Sequence, residues 1–207
     1  MAGLELVIGN KAWSSWSLRP WLVLKAAGVP FTETLVALRQ PNTRAEALKH
    51  APSGHVPVLK HDGLAIWDSL AICEYLAETF PQAQLWPADK AARARARSVS
   101  AEMHSGFGPL RAAMSMDVKA RHPTPPMTPE LAANIARVQE LWNQCRREFG
   151  AKTGKPFLFG AFTIADAMYA PVGTRFVTYG VKLDDVSTAY VKSIVELPAM
   201  KEWTAAA

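Results

Sequence analysis

Ser53-Gly54-His55-Val56-Pro57-Val58-Leu59, followed nine residues later by Asp68-Ser69 at the head of the apolar run Leu70-Ala71-Ile72-Cys73, decides the fold of this 207-residue chain. A strand entered through an X-Pro bond cannot use the proline nitrogen in a ladder. Neighbouring backbone groups are left open for another partner. Asp68 and Ser69 then gather a carboxylate, a hydroxyl and unpaired N–H groups at one helix start, where anions are favoured. Open backbone beside a receptor for an amine and a carboxylate suits a small peptide ligand.

Working outward, short β-rich runs alternate with helical ones up to about residue 80. Glu5–Gly9 reads as a strand, Leu18–Ala27 as a helix and Phe31–Val36 as a second strand. A poor helix around Arg44–Lys49, strands at Val56–Lys60 and Leu64–Trp67, and a helix over Asp68–Glu78 complete the series. The order βαβ–α–ββα is what a thioredoxin-like α/β layer requires. Pro81-Gln82-Ala83-Gln84-Leu85-Trp86-Pro87 carries a proline at each end and reads as a linker. The expected division is an N-terminal domain over residues 1–80, a linker over 81–90 and an all-helical domain over 91–207.

Beyond the linker, Ala91–Val118 reads as helix, and Pro129 suits a first helical turn after Thr128. Leu131, Ile135, Val138, Leu141, Trp142 and Cys145 keep a helical period. Thr163-Ile164-Ala165-Asp166 has the form of a capping box, and the apolar residues around it predict a buried helix that Pro171 interrupts.

Composition narrows the function classes. An apolar fraction of 49% with 20% charged residues is that of an ordinary globular chain. Lys25, Arg39 and Lys60 are among the charges that break every apolar run short of membrane-spanning length. The start, Met1-Ala2-Gly3-Leu4-Glu5, lacks the pattern of a signal peptide, so a cytoplasmic setting is expected. Cys73 and Cys145 form no metal or redox motif. A net charge of +5 raises nucleic acid as a partner, but Arg93, Arg95 and Arg97 turn to different faces of a helix. A solvated face tolerant of an acidic ligand is the expectation, with neither nucleic acid nor membrane as partner.

Three stretches together carry a family resemblance: Ser14-Ser15-Trp16-Ser17-Leu18-Arg19, Ser53–Leu59 with Asp68-Ser69, and Thr163–Asp166. The sequence resembles the cytosolic glutathione transferases. That resemblance implies a thioredoxin-like domain joined to a helical one, a twofold dimer, a cis bond before Pro57, and glutathione as co-substrate. The chemistry it implies is ionisation of the glutathione thiol, whose free pKa is about 8.5. Lowering that value by two units needs roughly 2.7 kcal/mol, within reach of a hydroxyl donor and a helix N-terminus together.

Matched position by position, the first loop is similar to the zeta class. Ser14 takes the place of the catalytic serine and Ser15 of its support, while Trp16 stands where that class has the cysteine tied to its isomerase activity. Two readings stand for these serines, thiol activation and helix capping, and Ser17 fits the cap with Pro20 in the first turn. Glu102-Met103-His104-Ser105-Gly106-Phe107 resembles a bacterial beta-class run in which the histidine approaches the glutathione sulfur. His104 is therefore a catalytic candidate, with a structural role as the other reading.

The same resemblance implies that Val56, after cis-bonded Pro57 closes the strand entry, pairs its backbone with the cysteinyl unit. It implies that Ser69 binds the γ-glutamyl carboxylate, that Asp68 faces the γ-glutamyl amine and that His55 touches the glycyl end, where Arg39, Gln40, Lys49 and His50 are vaguer candidates. Trp13, Trp16, Met103, Phe107 and Met114 are candidate apolar walls for an electrophile, with plain core as their other reading. Trp67, Trp86, Trp142 and Trp203 read as packing residues. The function expected is addition of the glutathione thiolate to an apolar electrophile; a glutathione-dependent isomerase and a non-catalytic binding module are the rivals.

Overall fold

The computed structural model describes residues 3–207, so Met1 and Ala2, which the sequence reading includes in its first domain, lie outside it. Strands β1 (Leu4–Gly9), β2 (Phe31–Val36), β3 (Val58–His61) and β4 (Leu64–Trp67) form one mixed sheet in the order β2-β1-β3-β4. β1 pairs parallel with β2 and antiparallel with β3, placing Val7 opposite both Thr34 and Val58. Helices α1 (Ser15–Ala27), α2 (Thr43–Leu48) and α3 (Ser69–Thr79) complete a thioredoxin-like layer. Strand β3 begins at Val58 rather than at Val56, because Pro57 brings no N–H to the ladder. The Val56–Pro57 bond is cis, as the resemblance implies.

An all-helical domain follows: α4 (Lys90–Ser105), α5 (Gly108–Ala113), α6 (Pro129–Cys145), α7 (Ile164–Thr178), α8 (Asp185–Val195) and α9 (Pro198–Ala205). The expected run over Ala91–Val118 is broken. The chain leaves α4 at Gly106, where a Cβ would stand 2.8 Å from the Glu102 carbonyl oxygen, and Phe107 turns left-handed with φ 61°. Pro109 then enters the first turn of α5, where its missing N–H costs little. Thr128 caps α6 ahead of Pro129 as the sequence predicts.

The two domains share a core. α1 and α7 pack together, and α7 is buried almost all round. Its start is the predicted capping box, with Asp166 fully buried. Trp142 and Trp203 are sealed in this core with Trp21, and Trp86 is nearly so. Each such ring buries 150–250 Å² and fixes the arrangement of the helices around it. The basic residues of α4 are dispersed: Arg97 bonds Glu74 of α3, Arg95 faces Glu148, and Arg93 bonds the carbonyls of Pro87 and Ala88.

Candidate active site

A cleft of about 360 Å³ opens where β3, β4 and the start of α3 meet the first loop, lined by Trp16, Ser53, His55, Val56, Pro57, Trp67, Asp68 and Ser69. All five residues expected to bind the tripeptide thus lie on one wall. Among the described residues, neither the N–H nor the C=O of Val56 has a hydrogen-bond partner. The His55 ring is held by Nδ1 against the Ser53 carbonyl oxygen at 2.7 Å.

Asp68 sits with φ 61° and ψ 150°, a conformation that is strained for any residue but glycine. Its Oδ1 accepts from the Leu70 N–H at 2.8 Å, and Oδ2 lies 3.2 Å from Nε2 of His104 on α4. Ser69 is buried, and its hydroxyl has no partner. An unpaired buried hydroxyl at a helix N-terminus is a donor and positive dipole end waiting for an anion. Burial pulls His104 below the ordinary histidine range, and the opposing carboxylate of Asp68 does not restore it. The Trp16 ring meets the His104 ring edge-on at 5.4 Å.

The first-loop serines are placed differently. Ser14, not Ser17, caps α1, and its hydroxyl lies 2.7 Å from that of Ser17, which accepts from the Gly9 N–H at 3.1 Å. Pro20 consequently falls inside α1 rather than in its first turn. Ser14 and Ser15 are both buried and do not line the cleft. The side chain that reaches it from this loop is Trp16.

Three of the five candidate walls take their other reading, plain core. Met103, Met114 and Phe107 are core, Trp13 lies under the Arg39 guanidinium, and Trp67, read as packing, is 44% exposed on the cleft wall. Lys49 pairs with Glu46, and neither it nor His50, Arg39 or Gln40 lines the cleft.

Residues 13–79 match the family model of the glutathione S-transferase N-terminal domain, and residues 128–206 that of the C-terminal domain. The chain belongs to the cytosolic glutathione transferase superfamily. Among curated relatives of this glutathione transferase chain, it is 38% identical over 96 residues to a probable maleylacetoacetate isomerase of Caenorhabditis elegans, covering 46% of this chain and 44% of that protein. A maleylacetoacetate isomerase of Rhizobium meliloti is 42% identical over 97 residues, 46% of each chain. The matches thus span less than half the length of these relatives. A solved glutathione transferase homolog from Burkholderia, with bound glutathione, superposes with a TM-score of 0.73 at 24% identity over 99% of this chain and 97% of its own. That likeness establishes the fold.

Proposed function

We propose that this chain is a glutathione transferase that lays the tripeptide along Val56, ionises its thiol with the help of Ser14, and adds the thiolate to an apolar electrophile. The observation that carries this reading is the open backbone of Val56 beside the unpartnered Ser69 hydroxyl and the strained Asp68, all in one cleft. Val56 offers an acceptor and a donor for an antiparallel peptide. Ser69 and the α3 N–H groups receive the γ-glutamyl carboxylate, Asp68 the amine, and His55 stands toward the glycyl end.

Ser14 and Ser17 supply a relay. Rotating two O–H bonds reverses their 2.7 Å hydrogen bond, so that Ser17 donates to Ser14 and the Ser14 proton is freed; Ser14 lies outside the cleft lining, so it acts on a sulfur that settles deeper than the cleft wall. The Gly9 N–H keeps Ser17 fixed throughout. Ser15 supports the loop, and His104 holds Asp68 in place. Trp16, Trp67 and Pro57 make the cleft apolar enough for a hydrophobic acceptor. A homodimer in the cytoplasm is part of this reading, resting on family membership.

A second reading is a glutathione-dependent isomerase, favoured by the names of the relatives above. Glutathione is titrated against wild type and Ser14→Ala while the ultraviolet absorbance of the thiolate is followed. The expected result is a thiolate at neutral pH in wild type, shifted toward the free value of about 8.5 in Ser14→Ala. Turnover that consumes glutathione supports the transferase; dependence without consumption supports the isomerase. No binding of glutathione overturns both.

A further inference from the structure

Beside the cleft lies a group of guanidiniums, none of which forms an ion pair among the described residues. Arg19 of α1 is completely buried, and its Nε and Nη1 have no hydrogen-bond partner. Its Cζ lies 4.2 Å from the centre of the Trp16 ring, and the Cζ of Arg111 on α5 lies 4.6 Å from the same ring. Arg175 of α7 is buried nearby and spends its Nε on the Met114 carbonyl oxygen. Among the described residues the arginine ion pairs use Arg95, Arg97 and Arg137 instead.

Each element around Arg19 can be checked for a compensating charge. From α3 it faces Asp68, whose carboxylate acts on it only weakly and is held by the Leu70 N–H and His104, and Cys73, whose thiol burial keeps neutral. From α4 comes His104, which is held below its ordinary range. From α5 and α7 come only Arg111 and Arg175. Burial first, then these two charges, pull Arg19 down to about 9, which still leaves it protonated at neutral pH. A buried, unpaired guanidinium opposes folding, and a methionine of similar length would pack in its place without that penalty.

We propose that Arg19, with Arg111, supplies the positive field that keeps the sulfur of a bound glutathione in its thiolate form, acting from behind Trp16 rather than by contact. This rests on the glutathione reading above. Trp16 lines the cleft and both guanidiniums lie against its ring, so their charge stands beside any anion held there. A cation without a partner in the free protein becomes a counter-ion when the thiolate forms. Arg19 is a positioning residue in this scheme, since it touches neither the ligand nor the reacting atoms. The indole does what a smaller side chain at position 16 would not: it keeps water from solvating the charge while leaving its field in the cleft.

The test compares Arg19→Met, Arg19→Lys and Arg111→Met with wild type in the full chain. Three quantities are read: the thermal midpoint of the free protein, the affinity for S-methylglutathione (which has no thiol to ionise), and the midpoint of thiolate absorbance with bound glutathione against pH. Arg19→Met is expected to keep or raise the thermal midpoint, to leave S-methylglutathione affinity unchanged, and to raise the ionisation midpoint by about one pH unit, a shift of the size that loss of a nearby opposite charge produces. Arg19→Lys restores most of that shift, and Arg111→Met reproduces it in smaller measure. A purely structural Arg19 would lower the thermal midpoint and leave the ionisation where it was. Unchanged ionisation in both methionine variants, with binding intact, overturns this proposal alone; should Arg19→Met fail to fold, Arg111→Met decides by the same criterion. No S-methylglutathione binding to wild type overturns the glutathione reading and this proposal with it.

Discussion

The starts of α7 and α3 each carry an aspartate near a hydroxyl, and the two differ in how far their hydrogen bonds are completed. At the head of α7 the Asp166 carboxylate accepts from the backbone N–H groups of Leu158 at 3.0 Å and Thr163 at 2.8 Å, and from the hydroxyls of Thr163 at 3.0 Å and Tyr190 at 3.1 Å. Nothing there is left over for a ligand. At the head of α3, Asp68 caps one N–H and leans on His104 across the domain junction, while the Ser69 hydroxyl beside it is buried and unpaired. On the function proposed above, capping residues of one chemical type serve folding where their hydrogen bonds close and recognition where they stay open. Unfinished bonding, more than residue type, tells the two apart.

The comparison is broken first at the closed end. Asp166→Ala strands four donors in the core, and its expected cost is about 3–5 kcal/mol of a stability that rarely exceeds 15. Urea unfolding measures this directly, and a loss below 1 kcal/mol would refute it. The same carboxyl gives a pH signature. Burial outweighs its hydrogen bonds and pushes it up to about 6, against an ordinary value near 3.9. The folded chain then holds the proton more tightly than the unfolded one. Its contribution is complete below about pH 4 and is lost as pH rises through about 6, amounting to roughly 3 kcal/mol. Subtracting the stability profile of Asp166→Asn from that of wild type should isolate this slope.

At the open end the effect moves from stability to binding. Ser69→Ala removes a hydroxyl that bonds nothing in the free protein, so stability should change by no more than about 0.5 kcal/mol. A hydrogen bond to a carboxylate is worth about 1.5–3 kcal/mol, so glutathione affinity should fall about 10- to 100-fold by calorimetry. A large loss of stability with unchanged affinity would mean that both helix starts serve the fold alone.

The alternation of strand and helix up to α3 was legible because each element carries its own period, and the capping box of α7 because its signature is local. The strand at Phe31–Val36 and that at Leu64–Trp67 fall where the sequence placed them. The break of α4 at Gly106 was hidden by the helix-forming residues on either side, although Gly106, Gly108 and Pro109 carried the signal. Which serine caps α1 could not be read from three serines in a row, since the choice depends on the Gly9 N–H reaching Ser17 from the end of β1. The cleft wall at Val56, Asp68 and Ser69 was visible in the motif. The arginines behind Trp16 were not, because they converge from α1, α5 and α7, which only tertiary packing brings together.

The smallest expected effect is also the sharpest discriminator between capping and recognition at Asp68. Asparagine is as good an N-cap as aspartate, so Asp68→Asn should keep the Leu70 N–H satisfied and leave α3 in place. The contact with His104 joins two partly exposed side chains, and pairs of that kind contribute at most about 1 kcal/mol. Thermal midpoints of wild type and variant should therefore nearly coincide. What the substitution removes is the negative charge that faces a ligand amine, and that loss should weaken glutathione about tenfold while barely altering the binding of an analogue whose γ-glutamyl amine is acetylated. Equal weakening of both ligands would mean that Asp68 acts only by holding His104 and the start of α3 in place, as Asp166 does for the start of α7.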